Sequence, residues 1–454
     1  MKDSTTSPDP ATDALLDMAE AIRTADLAPA TRHAARRHMY DTIGAIAGGM
    51  SQDVSQALLR VLQPSTLPSG LPLPGTDLRL PPDAFALLTG TAAHGIELDD
   101  GYRQGTVHPG VAVVPAVLAA AQTTQASGEA LIRAVVAGYE TVCALAGAMH
   151  PGTRQRSFHP TSVAGPMGAA VAVGLLLDLD RRQMSDALGI AASGAGGLFA
   201  FLGGGGDVKR LHGGQAARAG LMAALCAAEG ISAPTGIIGR DSGFAWAFAD
   251  RPVGQPLDLD LPPSGSFRIE DCYIKPHACC RHLQPAFEAL VHLVQKHEIP
   301  EVDILRIEID TYAIAARHAL VGWNDFASAQ LSLPYVMALA VRYGRADLSM
   351  FDDAMRGAWA GPIADRLHVA APPDIDKLYP SHRPARVRIV TPHNQLEETR
   401  LEASGSREMP LSDTALRDKF RGLAGNRAEA WDEAVWTLPA SADAGSRIRQ
   451  IFAA

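Results

Sequence analysis

Four short stretches concentrate the side chains that can move a proton or hold an anion: His108-Pro109-Gly110, His159-Pro160-Thr161-Ser162, Lys209-Arg210-Leu211-His212-Gly213-Gly214 and Lys275-Pro276-His277-Ala278-Cys279-Cys280-Arg281-His282. Each stands ahead of a run of residues with helical apolar spacing. In the first two, proline holds the preceding histidine out of helical geometry and can itself take the first helical position, which sets the imidazole beside free backbone N–H groups. Those groups carry partial positive charge. They favour an anion and disfavour an imidazolium, so a histidine there is expected to be neutral near pH 7 and able to act as a base or a hydrogen-bond donor. Lysines, arginines and helix starts clustered within an acidic protein imply a small substrate with several carboxylates, and a cleft between domains would bring the four stretches together.

Each stretch also has an ordinary structural reading. A His-Pro before a helix is most often a capped turn. The run Gly203 to Gly206 followed by Lys209 is similar in composition to a phosphate loop, but it matches neither G-x-x-x-x-G-K-[ST] nor a strand-borne G-x-G-x-x-G, which argues against a nucleotide. Glu97, Asp99 and Asp100 carry metal-ligating chemistry without the H-x-x-x-H or EF-hand spacing, so no metal is assigned. Cys279 and Cys280 offer either a nucleophile or packing residues. The coincidence of four such starts favours the functional reading.

The elements that position these residues are mostly helices. Segments 31–48, 110–125, 129–149, 163–177 and 214–229 have apolar faces dominated by Ala, Leu and Gly, which permit close helix packing. After the Pro/Asp-rich stretch 252–263 the texture changes. Segments 304–312, 385–391 and 397–403 alternate apolar and polar residues as half-buried strands do, with helices predicted over 285–297 and 333–341. From 410 the pattern turns helical again, over 412–423. The expected fold is mainly α: a large all-α domain over 1–265, an inserted smaller α+β lid over 266–407, and a C-terminal helical segment over 408–454 that returns to the large domain. Hinges are expected near Gly265 and Arg407.

Bulk properties bound the function. A chain of 454 residues is too long for one ordinary core. A net charge of −9 without a basic cluster argues against a nucleic-acid partner. The five cysteines, Cys143, Cys226, Cys272, Cys279 and Cys280, form no C-x-x-C pair, which argues against a disulfide framework or zinc site and for a reducing compartment. The start MKDSTTSPDPATD has no apolar core for a signal peptide, and the long apolar runs are broken by Gly and Pro. A cytoplasmic protein with no membrane partner is expected.

The sequence resembles the MmgE/PrpD family, which includes 2-methylcitrate dehydratase, cis-aconitate decarboxylase and iminodisuccinate epimerase. The likeness is carried by YDTIGAIAGG (40–49), GTAAHGIELDD (90–100), HPGVAVVPAVLA (108–119), VAGYET (136–141), FHPTSVAGPMGAA (158–170), LGIAAS (188–193), VKRLHGGQAARAGL (208–221), KPHACCRH (275–282) and QLSLPY (330–335). The resemblance implies a helical domain with a smaller lid, a homodimer, and a site that uses no cofactor. It sets the functional positions on His108, His159, Lys209, His212, Lys275 and Cys280, with the acidic turn represented by Glu97, Asp99 and Asp100. Apart from the resemblance, His277 and Arg281 in the Lys275 stretch are expected to join Glu97, Asp99 and Asp100 as substrate contacts. Departures are Glu97 where the family often has Asp, Gly101 where it often has Thr or Ser, and Cys280 where the decarboxylase-like pattern has His. The last counts against decarboxylation.

The chemistry so implied is removal of a weakly acidic proton next to a carboxylate, which needs a positioned base and cations for the developing enediolate. His159 is the expected base, His108 the acid that assists loss of a hydroxyl, and His212 the residue that orients a partner. Lys209 and Lys275 hold substrate carboxylates. A dehydratase of the 2-methylcitrate dehydratase type leads. Behind it stand an epimerase of the iminodisuccinate type, in which His159 and Cys280 or Lys275 are the two bases, a cis-aconitate-type decarboxylase, and a catalytically idle polycarboxylate-binding protein.

Overall fold

The computed structural model describes residues 9–201, 206–261 and 266–453. The glycines at 203–205 and the expected hinge at Gly265 lie outside the described residues. The chain divides into two compact units: 1–95, 99–274 and 412–454 form the first, and 96–98 with 275–411 form the second.

In the first unit the longer helices are α1 (Pro10–Thr24), α2 (Pro29–Gly49), α3 (Asp53–Leu62), α4 (Pro82–His94), α5 (Gly110–Thr124), α6 (Gly128–Ala148), α7 (Pro160–Leu176), α8 (Arg181–Ser193) and α9 (Val208–Ala228). Prolines at the first turn of α1, α2, α4 and α7 mark where these helices begin, since a missing N–H costs nothing there. α5 and α7 are buried almost all round and form the centre of the unit. α6 is long and apolar enough to cross a membrane by length and composition, and 83% of its apolar window is buried within the fold. The unit is not purely helical: two-residue strands β1 (Leu71–Pro72) and β2 (Arg79–Leu80) pair antiparallel. They are too short to leave an alternating pattern in the sequence.

The C-terminal helices α12 (Asp413–Ala424), α13 (Ala428–Trp436) and α14 (Ala444–Ala453) belong to this first unit. The ring of Tyr40 on α2 stacks on Phe420 at 4.1 Å, and its hydroxyl donates to Asp432 at 2.5 Å. Lys419 reaches the buried carboxylate of Asp41 at 2.6 Å. Pairing both buried charges, rather than leaving either alone, keeps the desolvation cost tolerable.

The second unit is α+β. Its sheet runs in the order β4–β3–β5–β6, with β3 (Arg306–Thr311) parallel to β4 (Leu367–Ala370), antiparallel to β5 (Ala385–Val390), and β5 antiparallel to β6 (Gln395–Arg400). Ile307 and Ile309 on β3, with Val387 and Ile389 on β5, are fully buried, whereas their neighbours carry the arginine and carboxylate pairs of the other face. α10 (Gln284–Lys296) packs on β5 and β6, and α11 (Leu333–Tyr343) packs on α10. β4 was not expected. Its four residues, Leu-His-Val-Ala, are half-exposed and too few to show a period.

One expectation about α9 is corrected. The helix begins at Val208, not after Gly214, so Lys209 and His212 lie within its first two turns instead of ahead of it. The Gly213-Gly214 pair signals close packing, not a helix boundary: a Cβ on Gly214 would collide with the carbonyl oxygen of Leu87 on α4. Gly214→Ala is therefore expected to lower stability by about 2–3 kcal/mol, despite the ~1 kcal/mol that alanine gains in a helix. The shift in urea midpoint measures it; an unchanged or raised midpoint would show that α4 and α9 can separate freely.

Candidate active site

The first unit gathers histidines around an acidic turn. α4 ends at His94, and Asp99 and Asp100 follow within six residues. The Nδ1 of His94 lies 2.7 Å from Asp99 Oδ2, and the Nδ1 of His108 lies 3.1 Å from the same oxygen. His108 Nδ1 also donates to the carbonyl of Asp100 at 2.6 Å. A carbonyl only accepts, so Nδ1 carries the proton and the opposite nitrogen, Nε2, presents the reactive lone pair.

Asp100 is held by the protein through both carboxylate oxygens. Its Oδ1 accepts the N–H of Gly110, the first residue of α5, at 3.0 Å, and its Oδ2 accepts the Tyr139 hydroxyl at 2.6 Å. His38 Nδ1 stands 2.8 Å from Oδ2, off the line of a good hydrogen bond. A fully buried carboxylate with both oxygens engaged by the protein braces the turn. The helix start behind His108 is correspondingly filled by Asp100 and is not open to an anion. Gly110 is required there, because a Cβ would come within 2.6–2.8 Å of Thr42 Oγ1, Tyr139 Oη and Asp100 Oδ1.

His159 is the N-cap residue of α7, with Pro160 next to it at the first helical position, and its backbone N–H donates to Gly197. Its Nδ1 lies 3.0 Å from Nδ1 of His212, so one ring donates and the other accepts. Its ring is stacked on His94 at 5.6 Å and is walled by Phe199 and Phe201. Burial pushes its pKa well below the ordinary value, helped by the neighbouring imidazoles of His94, His212 and His108. Burial also brings His94 down to about 3, against the pull of Asp99. His212 is lowered by burial and by the Lys209 ammonium. The main cause at His159 is desolvation of its ring among other rings, not the helix N-terminus.

The second unit holds its own group. Lys275 is fully buried with Nζ 3.2 Å from Glu97 Oε2. Glu97 adopts a left-handed φ of 54°, uncommon for a residue with a side chain. Gln330 holds the segment by donating to the carbonyls of Ile96 and Ala278. Lys275 is not at a helix start: α10 begins at Gln284, where Pro285 can open it, and a 3₁₀ turn over Arg281–Leu283 precedes it. Arg281 and His277 have partners within this unit. Arg281 spends its guanidinium on Gln284 and on the carbonyls of Ala403 and Ser404, and His277 lies 3.5 Å from Glu288, which also accepts from Ser404. Both tie the 402–406 loop to the start of α10. Burial pushes the Cys279 thiol up to about 12, whereas Cys280 is partly exposed and faces His318, with Sγ 3.9 Å from Nε2.

Thus the structure brings His108, His159, His212, Asp99 and the Lys209 charge together in the first unit, and Lys275, Glu97 and Cys280 together in the second. Sequence reasoning missed His94 and His318. The signal for His94 was present, five residues before Asp99 in GTAAHGIELDD; His318, in ARHALV, carries no local signal. Among the described residues no three His, Cys, Asp or Glu side chains are grouped as a metal site requires.

The MmgE/PrpD N-terminal domain model matches residues 13–255 and the MmgE/PrpD C-terminal domain model residues 277–438. The chain belongs to the MmgE/PrpD family and is an enzyme of that family. Among its relatives is a protein of Aspergillus oryzae named cis-aconitate decarboxylase-like protein oryM, 27% identical over 401 residues, which span 81% of this chain and 82% of that one. The cis-aconitate decarboxylase of Aspergillus terreus is 27% identical over 78% of this chain and 76% of its own, and the human enzyme of that name is 34% identical over 38% and 37%.

The lowered imidazoles set an acid limit. Below the ordinary value of 6.5 the unfolded chain takes up protons that buried His94 and His159 refuse, so their contribution is intact above pH 6.5 and is lost as pH falls toward the folded values. Each costs up to about 1.4 kcal/mol per pH unit in that window. Urea midpoints are expected to fall steadily from pH 7 to pH 4.5, and His94→Gln is expected to flatten the slope; an unaltered slope in the variant would mean that His94 titrates normally.

Proposed function

We propose that this enzyme moves a proton at the carbon next to a carboxylate of a small polycarboxylate, and that its reaction is dehydration of a hydroxy acid of the 2-methylcitrate type. The observation that carries this reading is the buried group around His159: a neutral imidazole, hydrogen-bonded to His212 and stacked on the Asp99-paired His94. A base with a depressed pKa keeps its lone pair at neutral pH. His108, with Nδ1 held by the Asp100 carbonyl and beside the Asp99 carboxylate, is a separate imidazole that, once protonated at Nε2, can pass that proton to a leaving hydroxyl. The half-buried ammonium of Lys209 and the buried ammonium of Lys275 provide charge for carboxylates and the enediolate.

A second reading is decarboxylation of cis-aconitate. It is favoured by the activity in the names of the relatives above. Cys280 in place of the histidine of the decarboxylase-like pattern weighs against it. The two reactions place different demands on the imidazoles: a hydro-lyase needs a base at the carbon and an acid at the hydroxyl, a carboxy-lyase only a donor to carbon.

Citrate, 2-methylcitrate, cis-aconitate and iminodisuccinate incubated in deuterated water separate the readings by product mass. Loss of water from a hydroxy acid is expected; release of CO₂ from cis-aconitate would replace it with the second reading, and retention of mass with deuterium gained would indicate epimerisation. On the accepted substrate, His159→Ala is expected to lower kcat by about a hundredfold or more. Lys209→Ala is expected to raise KM, lower kcat, or both. Turnover by His159→Ala near the wild-type rate would remove histidine 159 from the base position.

A further inference from the structure

The second unit contains a nucleophile, a base and an orienting group in sequence, none of which the proton abstraction at His159 uses. Cys280 Sγ lies 3.9 Å from His318 Nε2, and His318 Nδ1 lies 2.7 Å from the carbonyl oxygen of Leu331. Because that oxygen can only accept, Nδ1 holds the ring proton and Nε2 turns its lone pair toward the thiol. This is the logic of a thiol activated by an oriented imidazole. The backbone amide of Cys280 donates to the carbonyl of Gln330, the residue just before Leu331, so thiol and imidazole are fixed to one stretch of chain.

The surroundings favour charge separation. Burial by itself raises the Cys280 thiol, but His318, Lys275 and the backbone N–H of His282 outweigh it and bring it down to about 6. The neighbouring Cys279 is held up near 12 by burial and stays a thiol. The other titratable groups nearby are committed elsewhere: Lys275 to Glu97, Arg281 to Gln284, Ala403 and Ser404, and His282 to the hydroxyl of Tyr312 at 2.5 Å, with its ring 5.9 Å from that of His318. Tyr312 in turn stacks on Tyr379 at 4.7 Å.

We infer that Cys280 and His318 form a thiolate–imidazolium pair that carries a second proton transfer in the reaction, with Cys280 exchanging the proton and His318 positioning and ionising it. In the resting pair the thiol proton sits on Nε2; the thiolate takes a proton from the substrate carbon and, as the thiol, returns it to carbon or releases it to solvent, no bond to carbon is made by sulfur, and loss of that proton restores the ion pair. The existence of the pair is independent of the reaction; its role rests on the reading that the enzyme moves protons on a polycarboxylate.

Alkylation of the full-length protein by iodoacetamide, with Cys280 followed by peptide mass spectrometry and the partly exposed Cys226 as internal comparison, tests the pair. The rate at Cys280 is expected to titrate with a midpoint near pH 6. In His318→Gln the midpoint should move toward the ordinary thiol value, with labelling at pH 7 slowed roughly tenfold. A wild-type midpoint like that of Cys226 overturns the pair, whatever the variant does. The role is tested by solvent deuterium incorporation into the accepted polycarboxylate: Cys280→Ser is expected to lose exchange or turnover, and wild-type exchange in that variant overturns the role while leaving the pair. If the wild type neither exchanges nor converts any polycarboxylate, the proposed function fails and the alkylation profile still decides the pair.

Discussion

The carboxylate of Asp100 is buried among the Gly110 amide, the Tyr139 hydroxyl and the His38 ring, and the start of α5, the middle of α6 and the turn behind α4 take their places from it. Taking a charge out of water is expensive, and donors on both oxygens are what make it tolerable. The same residue presents its own carbonyl to His108, while its neighbour Asp99 turns to His94 and His108. Orientation of the imidazoles is thus a by-product of satisfying one buried anion. Gly110, whose Cβ would crowd Asp100, Tyr139 and Thr42, belongs to the same constraint.

Burial decides the protonation of this histidine group. Several imidazoles share a dry volume with the Lys209 charge nearby, and each disfavours protonation of the next. A helix N-terminus was the expected cause, and at His108 that terminus is already occupied. In the second unit a thiol lies beside an imidazole and a buried ammonium, and there the charged form of the thiol gains. The two groups therefore depart from solution chemistry in opposite senses: uncharged rings in one, an ionised sulfur in the other.

Much of this was legible in the sequence where a local rule governs. The prolines at 109 and 160 marked helix starts because a fixed φ and a missing N–H act within a few residues, and the alternation in 304–312 and 385–391 marked strands because one sheet face is buried. Lys209 and His212 were assigned to the right group but set ahead of their helix, since the Gly213-Gly214 pair that reads as a turn serves packing against α4. For Asp100, His277 and Arg281 charge alone is visible in the sequence; the protein groups that each side chain touches are set by residues up to 123 positions away. His318 pairs with a residue 38 positions earlier, a relation that no spacing rule encodes.

The contact between the two Nδ1 atoms of His159 and His212 has room for a single hydrogen. When His159 supplies it, the far nitrogen of that ring is bare; when His212 supplies it, the far nitrogen of His159 is capped. Protonation of His159 at its far nitrogen, with its Nδ1 hydrogen passing to His212 and the far-nitrogen hydrogen of His212 leaving, thus exchanges a proton acceptor for a proton donor without moving a heavy atom and leaves both rings uncharged.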